Sequence, residues 1–229
     1  MMLELGAGAA VIGGAAHGAF HRNSPIFGRP ITGLRSRARA VALTFDDGPN
    51  PDATPPILDA LAARGVKATF FVLGRHAEQW PELVARVAAG GHSIGNHGYY
   101  HRKLHFKSAR YVREDLTLGT RAIEQACGVR PRLFRAPHGF RSPWVSAIAR
   151  SLGQRTVGWS LGVWDSARPG VEAIADRTVH GAHPGAILLL HDGDGYDPAG
   201  DRMQTARAVP LIVDRLLDAG YRFDLLDAE

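Results

Sequence analysis

The chain has 229 residues, 45% of them hydrophobic and 21% charged, the balance of a globular domain with a buried core, which excludes wholesale disorder. Its net charge of +5 bears on encounter with acidic partners rather than on function; the Arg residues are scattered, no reading motif accompanies them, and nucleic acid is not expected as a partner. A single cysteine, Cys127, excludes an intrachain disulfide and a cysteine-rich zinc site.

Residues 1–38 read as a lead segment, weakly structured or peripheral, and 39–229 as one domain. The first twenty residues are rich in Ala and Gly and carry Glu4 but no Lys or Arg. They offer neither the positive start nor the strong apolar stretch of a secretory signal, and are too weakly apolar for a confident membrane span. A flexible lead and a membrane-associated helix are the two readings, with a cytoplasmic or membrane-peripheral compartment.

From residue 39 the chain alternates short apolar runs with amphipathic segments. Residues 41–45 form an apolar strand stopped by Asp46-Asp47-Gly48-Pro49. A helix follows over 55–64, with Thr54 as its N-cap, Pro55 at its first position and Gly65 past its end. Strand 67–73 is rich in β-formers, and helix 81–89 closes on Gly90-Gly91. Then come strand 92–96, helix 108–127, strand 132–135, helix 143–152, strand 155–160, helix 171–179, strand 186–190, helix 203–219 and strand 221–226. Such alternation predicts parallel βαβ units, and near-continuous apolar strands predict burial on both faces. About seven strands in one α/β domain fit a (β/α) barrel better than an open sheet, and either architecture gathers ligand sites at the carboxyl ends of the strands.

Reactive residue types collect at those ends. Asp46 and Asp47 follow the first strand, His97 and His101 the third, Arg135 and His138 the fourth; Asp165 follows the fifth and His191 ends the sixth. Each has a bland reading: Asp-Asp-Gly-Pro is often only a turn, and a histidine after AILLL can be a satisfied core residue. Their agreement on one rim is the stronger signal. His97 and His101 stand four apart, so one helical turn would bring both imidazoles to one side. Two imidazoles and a carboxylate hold a divalent metal with positions left open for water and substrate. Successive side chains diverge at a strand end, so one aspartate would ligate and its neighbour would serve as a base.

These segments resemble a known family. TFDDGP (Thr44 to Pro49), HGYYH (His97 to His101), RAPHG (Arg135 to Gly139), WSLGVWD (Trp159 to Asp165) and LLLH (Leu188 to His191) are similar, in order, to five motifs of the polysaccharide deacetylase family, also called NodB-homology or carbohydrate esterase family 4. The resemblance implies a distorted (β/α) barrel and a metal-dependent hydrolase that removes N-acetyl groups from amino sugars of a chitin-like oligomer, peptidoglycan or another envelope glycan. By it, Asp46 is the general base, Asp47, His97 and His101 bind the metal, and Arg135 holds and orients Asp46. His191 is the general acid, tuned by Asp165. The backbone N–H of His138 serves the oxyanion, and Trp164 and Leu188 lie on the substrate side. Zinc is the metal expected from the ligand type, with cobalt, nickel, manganese or iron also compatible.

Three departures from the family pattern bear on substrate subclass. Gly98 stands where a hydroxyl residue usually follows the first metal histidine, His138 replaces an aromatic residue, and Trp164 precedes Asp165 where the family commonly places Trp after it. A non-catalytic carbohydrate-binding relative and, behind it, an iron enzyme with two histidines and one carboxylate are the competing readings.

Overall fold

In a computed structural model of the chain, the residues described are 13–35 and 38–226. Residues 13–20 are helical (α1). The first strand, β1 (Ala40–Asp46), is buried along its whole length, as a strand covered on both faces must be. Around it lie β2 (Thr69–Val72), β3 (Ser93–Asn96), β4 (Leu133–Phe134), β5 (Arg155–Thr156), β6 (Leu161–Gly162) and β7 (Ala186–His191) in the order β5-β4-β3-β2-β1-β7-β6. Every pairing is parallel. The eighth strand, β8 (Arg222–Phe223), pairs with the start of β1 at Ala40 and Val41. Seven parallel strands therefore curl into a half-barrel whose ends, β5 and β6, do not pair, in agreement with the distorted (β/α) barrel expected above.

The helices α2 (Thr54–Ala62), α3 (Gly74–Gln79), α4 (Pro81–Ala89), α5 (Ala109–Cys127), α6 (Val145–Ser151), α7 (Val171–Gly181) and α8 (Met203–Asp218) connect the strands. One core cluster joins Leu43, Phe45, Leu188 and Leu190 of the sheet to Ile57, Leu61, Ile212 and Leu216 of the helices, all fully buried. α5 follows the sequence closely: Ser108 caps its start by accepting from the Tyr111 N–H at 3.2 Å, and Gly128 ends it in the left-handed conformation. No helix among the described residues is long and apolar enough to cross a membrane.

Three elements differ from expectation. Ala53, not Thr54, occupies the cap position of α2. The Thr54 hydroxyl is committed elsewhere, accepting from the Asn50 N–H at 2.8 Å and donating to Asp192 Oδ2 at 2.6 Å, while Asn50 Oδ1 accepts from the N–H groups of Asp52 and Ala53. Of the expected strand 155–160 only Arg155–Thr156 is strand (β5), and β6 begins beyond it at Leu161; between them the Gly158 N–H goes to Ile31 O at 2.8 Å and its missing Cβ leaves room for Asn23. α3 is the third: it starts at Gly74, where any Cβ would press on Gly119 Cα at 2.7 Å.

Part of the segment read as a lead packs against the barrel mouth. Arg141 donates from Nη2 to Ser24 O at 2.6 Å and from Nη1 to Gly28 O at 3.1 Å. Arg22 Nε and Asn23 Nδ2 both donate to Trp159 O.

Candidate metal centre and catalytic cleft

β1 carries Asp46 and Asp47 to the mouth, the loop after β3 carries His97 and His101, and β7 ends in His191. Asp47 takes a left-handed backbone, φ 74°, which releases its side chain from the alternation that would turn it away from Asp46. A buried histidine on α3 fixes this turn: His76 Nδ1 lies 2.8 Å from Asp47 O, and because a carbonyl only accepts, that nitrogen carries the proton. Burial pushes His76 down to about 4, so the ring is neutral near pH 7.

No helical turn joins His97 and His101. The chain passes between them through positive φ at Gly98 (79°) and at His101 itself (56°). Asp115 of α5 holds this loop, its Oδ1 accepting from the Tyr100 N–H at 3.0 Å. A Cβ at Gly98 would stand 2.5 Å from Asp115 Oδ2. Glycine at 98 is thus the residue that admits the Asp115 carboxylate.

Asp47 Oδ1 lies 3.2 Å from His97 Nε2 and 3.1 Å from His101 Nε2, and the three donor atoms lie within 4.8 Å of one another. His97 Nδ1 sits 2.9 Å from Arg135 O and so carries the proton, which leaves a lone pair on Nε2 in the neutral ring. Asp47 Oδ1 is buried without a hydrogen-bond partner. A nitrogen lone pair facing an unpartnered carboxylate oxygen repels it, and a cation between them turns the repulsion into ligation. The donor set fits a divalent transition metal.

Asp46 Oδ1 accepts from Arg135 Nη1 at 2.7 Å, and Oδ2 lies 3.7 Å from His97 Nε2. Arg135 is fully buried. It also donates to Thr44 Oγ1 at 2.8 Å and to Gly158 O at 3.0 Å, with its guanidinium 4.1 Å from the centre of the Phe71 ring. On the opposite flank His191 Nδ1 meets Asp165 Oδ1 at 2.9 Å, while Asp165 Oδ2 accepts from the His191 N–H and from Thr205 Oγ1. Burial alone would lower the His191 pKa, but pairing with Asp165 raises it to about 9. Asp165 is correspondingly lowered against its own burial by that imidazole.

A loop after β7 closes the cleft. Arg202 donates to Gly193 O at 2.8 Å and to Asp194 Oδ2 at 2.7 Å, and Arg75 to Gly195 O at 2.6 Å. Gly195 packs so closely on the His101 ring that a Cβ there has no room. Tyr196 OH and His138 Nε2 share a hydrogen bond of 3.0 Å, and the His138 ring centre lies 4.6 Å from that of His101. The resulting cavity of about 610 Å³ is lined by Asp46, Asp47, both metal-site histidines, His138, Trp164, His191 and Tyr196, among others.

The structure therefore brings nine of the ten sequence-derived site residues to or around this cleft; Arg135 reaches it through Asp46. Leu188 is the correction. It is fully buried in the core, and the next residue, Leu189, lines the cleft, because successive strand side chains point to opposite faces. His76, Asp115, Asp192, Tyr196 and Arg202 were not singled out from the sequence. Of these, the run Asp192-Gly193-Asp194-Gly195-Tyr196 immediately after an apolar strand carried a usable signal, that of a functional loop at a carboxyl strand end.

The family description polysaccharide deacetylase matches residues 34–157. A chitooligosaccharide deacetylase of Bradyrhizobium sp. (strain ANU 289) is 40% identical over 195 residues, covering 81% of this chain and 88% of its own. A peptidoglycan-N-acetylglucosamine deacetylase of Bacillus cereus is 39% identical over 190 residues, covering 81% and 85%. The crystal structure of a peptidoglycan N-acetylglucosamine deacetylase superposes with a TM-score of 0.79 at 32% identity, covering 86% of this chain and 90% of that one. With a half-barrel of parallel strands and an Asp-His-His cluster at its mouth, the chain belongs to the polysaccharide deacetylase family.

Proposed function

We propose that this chain is a metal-dependent N-deacetylase of glycan amino sugars in which Asp47, His97 and His101 hold zinc, Asp46 is the general base and His191 the general acid. The observation that carries the proposal is the pair of imidazole nitrogens aimed at one unpartnered oxygen of Asp47, with a second carboxylate beside them. Two nitrogens and one oxygen suit zinc. The names of the relatives, chitooligosaccharide and peptidoglycan-N-acetylglucosamine deacetylases, support N-acetylglucosamine units as the substrate.

A divalent ion held by Asp47, His97 and His101 would supply Lewis-acid polarisation of the acetamide carbonyl and would lower the pKa of water towards neutrality. Asp46 Oδ2 takes the proton of the attacking water, while Arg135 on Oδ1 holds the carboxylate in place. The His138 N–H donates to the oxyanion that develops on the carbonyl oxygen. His191, its Nδ1 proton bonded to Asp165, donates from Nε2 to the leaving amine nitrogen. The C–N bond breaks, acetate departs and the sugar keeps a free amine. Trp164, 75% exposed at the rim, offers a ring face to a sugar.

The test is acetate release from N-acetylglucosamine oligomers. Chelated protein is expected to be silent and zinc to restore it. Oligomer binding with no acetate over long incubation, zinc present, contradicts the proposal.

A further inference from the structure

A run of aromatic rings leads out of the cleft. His138, on the cleft wall, has its ring centre 6.0 Å from that of Phe140. Phe140 meets Phe20 at 5.6 Å and His105 at 5.0 Å. Phe106 continues the run, 6.2 Å from Phe20 and 4.1 Å from His105. The rings come from three separate stretches: the end of α1, the short 3-10 turn Leu104–Phe106 and the loop after β4.

Packing between those stretches does not account for the cluster, because its outer rings are not covered. Phe106 is 82% exposed and Phe20 51%. A contiguous apolar surface left in water marks a binding site. Its position says what binds. Phe20 and Phe140 line the same cleft as the metal set, so a ligand that seats an acetamido group there and is longer than the cleft continues onto these rings. A sugar unit is apolar on its C–H faces and polar around its edge. The cluster matches it, with ring faces interleaved with the His105 imidazole and with the Lys103 ammonium 6.0 Å from the Phe140 ring centre.

We propose that Phe20, His105, Phe106 and Phe140 form an extended subsite that stacks further sugar units of the glycan whose acetamido group lies at the metal set, which makes this chain selective for oligomers over short fragments. The assignment rests on the proposed glycan substrate, so its test is arranged not to depend on turnover.

Affinity for the N-acetylglucosamine hexamer and dimer is measured by calorimetry on the full chain under chelation. Phe106→Ala is expected to weaken hexamer binding by about three- to tenfold, the range of an aromatic contact, with dimer binding unchanged, and Phe20→Ala, whose ring also lines the cleft, to weaken hexamer binding more than dimer binding. Phe106→Tyr retains the ring and is expected to retain the affinity. Unchanged thermal unfolding of Phe106→Ala guards against a folding defect. Unaltered hexamer affinity in both alanine variants overturns the proposal, as does equal weakening for hexamer and dimer. Binding of the wild-type chain to anionic phospholipid vesicles that Phe106→Ala abolishes, with hexamer affinity intact, assigns the patch to a membrane and overturns it too. Absence of acetate release by the zinc-loaded wild type counts against the deacetylase reading alone and leaves the binding result standing.

Discussion

The two ion pairs that flank the metal set use one interaction to opposite ends. At the end of β1, Asp46 is tied to Arg135, whose guanidinium keeps its charge at any working pH, so the carboxylate is the partner able to take a proton. At the end of β7, His191 is tied to Asp165, which Thr205 and the His191 N–H hold as an acceptor, so the imidazole is the partner able to give one. Identity of the fixed partner, not burial, separates the two flanks: both pairs are largely shielded from water. A carboxylate beside a permanent cation is left to accept, and an imidazole beside a fixed carboxylate is left to donate. The proposed base and acid follow from that contrast.

The contrast breaks first at Asp46. Asp46→Asn is expected to cut acetate release by about 10²- to 10⁴-fold while metal content stays unchanged; activity near the wild-type level would remove the proposed base. Arg135→Met leaves a buried carboxylate without its cation, and urea unfolding should register a loss of about 3–5 kcal/mol. A loss too small to measure would mean that Asp46 does not depend on its partner. Asp165→Asn sharpens the other flank through pH. The His191 pKa is raised to about 9, so the pair contributes its full stability below about 6.5, the ordinary histidine value, and loses it as pH rises through about 9. The proton donor is lost over the same window, and a bound cation pushes the alkaline limb of kcat/KM to 9 or below. Removing the Asp165 charge should move that limb towards 6.5, and a limb that stays put contradicts the pairing. The smallest effect on turnover is expected from Leu188→Ala: a loss of about 2–5 kcal/mol in stability by unfolding with KM unmoved, because the side chain faces the core.

What the sequence revealed and what it hid divide along the same physical lines. The barrel was legible because parallel strands buried on both faces are nearly all apolar, and because Gly and Pro punctuate the helices between them. The same continuity hid the facing of Leu188 and Leu189, since a run without polar alternation carries no mark of which residue points inward. The residue types of the metal set were legible, but the way they converge was not. Asp47 and His101 reach the centre through positive φ, a conformation that both residue types adopt more readily than most but that their identity alone does not specify. His76 and Asp115 act on backbone groups of the metal loops from α3 and α5, and a polar residue within a helix gives no hint of such a partner. Residues 19–28 are held largely through main-chain carbonyls, those of Ala19, Ser24 and Gly28 accepting from Arg141, and carbonyls are present in every sequence.

The central claim is that three side chains share one cation, and zinc stoichiometry after dialysis tests it most directly. Wild type and Asp46→Asn are each expected to retain a single zinc ion per chain, whereas Asp47→Ala, His97→Ala and His101→Ala, each still folded by circular dichroism, are expected to lose it. Full retention of zinc by any one of those three variants, or its loss from Asp46→Asn, would contradict the assignment.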